Sequence, residues 1–179
     1  MLTGTWTGLR AVERDDLPQL MQWRNRPDYR RYFREFQELN STKQECWFDR
    51  FVLNDPNTMM FSIVSLETGE LLGACGLCYI SWQNRSADFS IYIGKDDLYI
   101  DAKYAVDAAK VMIRYGFEEL CLHRFWSEIY DFDEPKKKMF HTLGFTLDGR
   151  HRQTHWTEGK WCDSLFYGLL STDPRPLDD

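Results

Sequence analysis

Apolar residues recur at spacings of three and four along one stretch, at Ala105, Ala108, Ala109, Met112, Ile113, Phe117 and Leu120. That period predicts a long amphipathic helix beginning near Lys103. Just upstream, a short alternating run ends at Ile93-Gly94, and a polar loop covers residues 95–103. A strand that runs through a loop into a helix N-terminus presents unpaired backbone N–H groups at the positive end of the helix dipole, the usual physical means of holding a phosphate. Residues 91–124 are the stretch around which the other elements are arranged.

The remaining pattern supplies those elements. Residues 7–12 form a first strand. Asp15 or Asp16 then caps a helix with Pro18 in its first turn and Leu17, Leu20, Met21 and Trp23 on its apolar side, stopping before Pro27. Ser41 or Thr42, with Gln44 or Glu45 reaching back, starts a second helix through Trp47, Phe48 and Phe51. Three alternating runs follow at 59–66, 71–82 and 86–94, the first two joined by a hairpin turn at 67–70. After the long helix come a strand at 125–130, a short helix at 136–143 opened near Asp133 and closed by Gly144, and two strands at 146–154 and 160–170. This order predicts an α/β (α+β) fold, a mostly antiparallel mixed sheet of about seven strands with helices on both faces. No repeat or linker divides it, so residues 1–170 read as a single domain and 171–179 as a polar C-terminal tail.

Composition narrows the class. The chain has 179 residues, 43% hydrophobic and 16% aromatic, which marks a globular protein. No apolar run reaches the ~20 residues of a membrane span, and the N-terminus has no secretion signal, so a cytoplasmic location is expected. A net charge of −6 argues against broad affinity for nucleic acid or membrane. The charge is uneven, since residues 24–34 hold five arginines and one aspartate. Cys75 and Cys78 have CxxC spacing, but residues three apart on a strand face opposite ways, so neither a shared metal nor a disulfide is expected. His151 and His155 lack a cysteine pair of finger-like spacing, and no metal site is expected there.

The segments that carry most identity are Leu9-Arg10, Trp23-Arg24-Asn25, Leu72-Gly73 with Gly76, the run from Ala87-Asp88 to Ile93-Gly94, Tyr104-Ala105 with Asp107-Ala108, and residues 115–124. Later come Phe140 with Leu143-Gly-Phe145, then residues 148–150, 159–163 and 167–170. In this order and spacing they resemble the GNAT superfamily of acyl-CoA-dependent N-acyltransferases, nearest the branch of ribosomal-protein, amino-sugar and polyamine N-acetyltransferases. The resemblance covers nearly the whole chain. It implies a splayed central sheet with acetyl-CoA as co-substrate in the gap. Backbone groups of Phe89, Ile91 and Ile93 would meet the pantetheine. The loop at Asp101, Ala102, Lys103, Tyr104 and Ala105 would wrap the pyrophosphate, and Asp133, Lys136 and Phe140 would border the pantetheine arm. The acceptor, a small-molecule or peptide amine, would attack the thioester directly in a ternary complex. A homodimer through the C-terminal strands is a further implication.

The sequence also departs from that pattern. The family's loop reads R/Q-x-x-G-x-G/A; here Ile100 replaces Arg/Gln, Asp101 and Lys103 replace glycines, and only Ala105 is conventional. Phe140 stands where a tyrosine usually protonates the leaving thiol, and Asp133 where an asparagine often stands. These changes favour an alternative: a GNAT-fold protein that has lost ordinary acetyl-CoA use and serves as a binding module or uses another donor, on a nucleotide or nucleic acid.

Asp88 is the first candidate for general base, on one strand face with Ser90 and Tyr92, opposite Phe89, Ile91 and Ile93. His151 and His155, near the acceptor mouth in the resembling fold, are alternatives because histidine titrates near neutrality. Arg24, Arg30, Arg31 and Arg34 are candidate grips on an anionic acceptor, with Tyr92 and Trp156 as further acceptor-side groups.

Overall fold

Eight strands form one sheet in the computed structural model, which describes residues 1–174. They are β1 (Leu2–Thr3), β2 (Thr7–Ala11), β3 (Met59–Ser65), β4 (Leu71–Ser81), β5 (Ser86–Ile93), β6 (Arg124–Tyr130), β7 (Thr146–Thr157) and β8 (Lys160–Leu170). Their spatial order is β1-β2-β3-β4-β5-β6-β8-β7. Every neighbouring pair is antiparallel except β5 with β6. The strand beyond the expected seven is β1, two residues long and too short to show alternation. Of the tail, residues 175–179 lie outside the described residues.

Helices cover both faces, and local chemistry sets their ends. Glu13 and Asp16 exchange a reciprocal capping box around a 3-10 turn at Arg14–Asp16, and Asp16 is then the N-cap residue of α1 (Leu17–Asn25), as one of the two expected positions, although its carboxylate is turned to the 3-10 turn rather than to the α1 amides. The Asp16 side chain is held by Arg10 at 2.7 Å and Ser62 at 2.7 Å. Pro27 cannot donate to the preceding turn, so the chain breaks and restarts as α2 (Pro27–Arg30). Asn40, not Ser41 or Thr42, caps α3 (Ser41–Trp47) by accepting from the Lys43 N–H at 2.9 Å. The long helix α4 (Tyr104–Arg114) widens into a π turn at Tyr115–Glu119. Asp133 caps α5 (Glu134–Thr142), which ends at Gly144 with φ +84°, a backbone angle that favours glycine.

Alternation along β5 divides the core. Phe89, Ile91 and Ile93 pack with Ala105, Ala108, Met112 and Ile113 of α4 and with Phe140 of α5. Tyr92 points the other way, among Leu17, Leu20 and Trp23 of α1, Tyr29 of α2 and Phe48. Cys75 and Cys78 face opposite ways as expected: Cys75 is in the first cluster and Cys78 contacts Met60 beside the second.

One buried carboxylate ties α4 to the sheet edge. Asp107 accepts from the backbone N–H groups of Thr5, Trp6 and Thr7 and from the Thr7 hydroxyl, at 2.7–2.9 Å. Burial pushes its carboxyl up, but these donors outweigh burial and hold it below the usual carboxylate range. A depressed pKa stabilises the fold above the unfolded-state value, and that stabilisation is lost as pH falls through the folded value. Asp107→Asn is expected to cost about 2–3 kcal/mol at pH 7 and markedly less at pH 3. Urea unfolding at the two pH values checks this; an equal deficit at both would remove the charge from the explanation.

Candidate active site

The parallel ladder between β5 and β6 runs from Ser86–Arg124 through Ala87–Phe125 to Asp88–Trp126 and then stops. Beyond it the strands diverge. The Phe89 carbonyl still accepts from the Ser127 hydroxyl at 3.0 Å. At the far end the gap closes again: Ile93 N–H donates to the Tyr99 carbonyl at 2.7 Å, and the Ile93 carbonyl accepts from the Tyr29 hydroxyl at 2.7 Å. The expectation that Phe89, Ile91 and Ile93 all offer backbone groups to a ligand is therefore corrected. Ile93 is bonded within the chain, the Phe89 carbonyl has an internal donor, and the opening centres on Ile91.

On the α1–α3 side of this divergence lies a cavity of ≈ 570 Å³. Asp88 and Ser90 of β5, Ser127 and Glu128 of β6, and Lys136 of α5 reach it from the sheet side. Arg34 closes it from the segment between α2 and α3. Its Nη1 donates to Asp88 Oδ2 at 3.1 Å and its Nε pairs with Glu128 Oε2 at 3.2 Å. Glu128 in turn accepts from the Ser164 hydroxyl at 2.6 Å. Aromatic contacts hold that segment down: Phe33 meets Tyr92 edge-on at 5.4 Å, and Tyr32 stacks on Tyr99 at 4.2 Å.

Burial dominates the electrostatics here. Asp88 is 4% exposed, and burial raises its carboxyl above the ordinary range despite the pull of Arg34 and Lys136. Lys136 is 6% exposed, and burial lowers its ammonium although Asp133 and Asp88 oppose the shift. Asp133 is raised by burial too, and it accepts from the Tyr99 hydroxyl at 2.7 Å. A carboxylate whose pKa burial has raised, on the wall of a cavity, is a better proton acceptor than an exposed one.

Of the residues singled out in the sequence, Asp88, Arg24, Arg34 and Lys136 meet in this cavity. Tyr92 is buried beneath it. His155 stacks flat on Tyr130 at 3.7 Å and is lowered by burial, outside the cavity lining. His151 lies on exposed β7 against Phe166, in a shallow pocket with Arg152, Gln153 and Asp163, apart from Asp88. Trp156 is exposed and contacts Trp161 at the tip of the final hairpin. Arg30 pairs with Glu38 and Arg31 with Glu158, away from the cavity. Phe140 is fully buried between Phe145 and Tyr167 and offers no group to the gap. Of the lysines at 136–138, the first turns inward and is buried. Glu128, Tyr99 and Asp107 were not anticipated. Glu128 had a faint signal, a lone carboxylate between aromatic residues of one strand.

The loop ahead of α4 has an internal occupant. The Asp101 carboxylate accepts from the N–H groups of Lys103 at 3.0 Å, Tyr104 at 2.9 Å and Ala105 at 2.7 Å. These are the donors a phosphate would use. Lys103 turns away, its ammonium 4.4 Å from the Trp6 ring centroid and 4.7 Å from that of Tyr104. The diverging strands fit the acyl end of a CoA thioester, but the phosphate cradle does not fit a pyrophosphate as it stands. Asp101→Ala vacates the amides and removes a negative charge. It is expected to tighten CoA binding roughly tenfold or more while costing about 1 kcal/mol of stability as a lost cap. Calorimetric titration with CoA checks the first effect and thermal melting the second; unchanged or weaker binding would show that the cradle takes no part.

Residues 7–146 match the family described as acetyltransferase (GNAT) domain. Relatives include the uncharacterised N-acetyltransferase p20 of Bacillus licheniformis, 25% identical over 167 residues, covering 92% of this chain and 93% of that protein. Spermidine N(1)-acetyltransferase of Escherichia coli K12 is 27% identical over 157 residues, covering 88% and 82%. Among solved structures, spermidine N-acetyltransferase from Vibrio cholerae in complex with CoA and spermine superposes with a TM-score of 0.82 over 92% of this chain and 95% of that one. Its identity is 22%, so it attests the fold. Among the described residues no helix is long and apolar enough to cross a membrane, and no cluster of side chains is suited to a metal ion. The chain therefore belongs to the GNAT acetyltransferase family, enzymes that move an acetyl group from acetyl-CoA to an amine.

Proposed function

We propose that this enzyme acetylates the primary amine of a small molecule seated in the cavity beside Asp88. The observation that carries this reading is the buried Asp88 carboxylate at the point where β5 and β6 part, on the wall of that cavity. The named activity of the E. coli relative, on spermidine, supports a small-molecule acceptor over a peptide. Acetyl-CoA, when bound, supplies an activated acetyl thioester. The chain's own residues prepare the amine. Asp88 takes the ammonium proton, directly or through one water, and Arg34 holds the carboxylate in place by its bond to Oδ2. Glu128, held by Arg34 and Ser164, fixes the guanidinium from its other side. The segment carrying Arg34, pinned by Phe33 and Tyr32, limits water at the base.

The filled phosphate cradle favours a second reading, in which the fold binds an amine-bearing ligand without drawing on acetyl-CoA. Thermal shift separates the two. A donor at a hundred times its Kd stabilises by about 2.7 kcal/mol, a rise of several degrees. The absence of any shift with CoA and acetyl-CoA would select the second reading.

Asp88→Asn is expected to lower kcat by roughly 10²- to 10⁴-fold with the fold retained. The base acts when deprotonated, so the rate falls as pH drops through a pKa that burial has raised. Arg34 draws that pKa down, so Arg34→Gln is expected to move the acid limb of the rate profile to higher pH. A limb that stays in place, or moves to lower pH, would separate Asp88 from the observed titration.

A further inference from the structure

The charges around the acceptor cavity are not evenly satisfied. Each carboxylate on its wall already has donors. Arg34 holds Asp88 and Glu128. Glu35 accepts from the Gln37 N–H, and Asp55 accepts from the Asn57 N–H and the Thr58 hydroxyl. The cations differ among themselves. Lys43 donates to Gln37 Oε1 and Lys136 lies under the pull of Asp133 and Asp88, whereas Arg24 and Arg50, which line the same cavity, make neither an ion pair nor a hydrogen bond among the described residues.

Arg24 stands out among them. Its Nε is shielded from solvent and bonds to nothing. The guanidinium lies 4.8 Å from the Phe33 ring centroid, which fixes its plane without using its donors. α1 presents it at the cavity wall, one turn before the break at Pro27. A shielded guanidinium donor without an acceptor is costly, and a planar fork of N–H groups suits an oxyanion better than an amine.

We infer that the acceptor carries an anionic group, a phosphate or a carboxylate, bound by Arg24 while its amine is directed to Asp88. This rests on the acetyl-transfer reading of the same cavity and adds the chemical class of the substrate. Polyamines, which are purely cationic, would meet spare positive charge at this wall.

Matched amines test the assignment. Ethanolamine is compared with 2-aminoethyl phosphate, glucosamine with glucosamine 6-phosphate, and β-alanine and spermidine stand beside them. Two readouts are taken: melting temperature without donor, and thiol release with acetyl-CoA. The expected result is that the phosphate of each pair, or β-alanine if a carboxylate is the fitting group, raises the melting temperature, whereas the amines without an anionic group, spermidine included, do not. Arg24→Gln is expected to weaken that binding by roughly tenfold to a hundredfold, and Arg24→Lys to restore part of it. Stabilisation by spermidine alone would overturn the assignment, as would anion binding that is the same in Arg24→Gln as in the parent, or no binding of any anionic amine. Anion binding that depends on Arg24 but gives no thiol release from any amine would uphold the anion site and overturn acetyl transfer.

Discussion

Because β5 and β6 stop pairing after Asp88 and Trp126, a sheet that is otherwise continuous acquires an opening in its middle. Parallel strands need evenly spaced bonds along both edges, and here the partner moves away while β5 keeps its ladder with β4 as far as Ile93. The exposed edge cannot stay unsatisfied. The chain settles part of it internally, with the Ser127 hydroxyl at Phe89 and with Tyr29 and Tyr99 at Ile93. What remains is a short window near Ile91. Asp88 stands at the fork because it is the last residue of β5 paired with β6, so the proposed base and the opening are set by one feature.

Around that fork the protein buries Asp88, Asp133 and Lys136, with Glu128 and Arg34 partly shielded. Isolated, any of these charges would cost several kcal/mol to desolvate, and paired groups of this kind are often no more stable than apolar residues of the same volume. The network is thus a poor stability device. Stability is better sought in Asp107, whose carboxylate satisfies the amides of Thr5, Trp6 and Thr7 at a sheet edge that has no other partner for them on α4. The ionic groups at the fork instead keep polar chemistry, and opposing pKa shifts, where a substrate would meet them.

Much of this was legible in the residues. The three-and-four spacing of Ala105 to Ile113 and the alternation of β5 gave the two layers of the core, because burial on one face leaves a period. The opposed facing of Cys75 and Cys78 followed from the same rule. The replacement of a loop glycine by Asp101 was visible, but its consequence was not, since a carboxylate two to four residues ahead of three amides folds back on them only when the loop turns there. Lys136 was named by resemblance alone, and what sets it apart from the two lysines that follow is the helix phase set by the Asp133 cap, which turns it inward. The arginines of residues 24–34 looked alike. The break at Pro27 separates Arg24, which keeps the cavity, from Arg30 and Arg31, which pair with Glu38 and Glu158. His151, His155 and Trp156 were placed by resemblance, and a hairpin's twist and register, with irregularities between His151 and His155, are not written in a period-two pattern.

Two departures from the family pattern then belong together. At the donor end, where the fold ordinarily leaves amides for phosphate, Asp101 supplies a negative charge of its own. At the proposed acceptor end, where an amine would bind as a cation, Arg24 remains without an acceptor and the carboxylates are already held. Each change opposes the ligand charge usual on its side. An acceptor bearing an oxyanion relieves the second. The first sets a condition on the proposed donor site: phosphates seated on this loop would have to displace a carboxylate already bonded to three amides, and discrimination would then shift toward the acyl end, where β5 and β6 diverge.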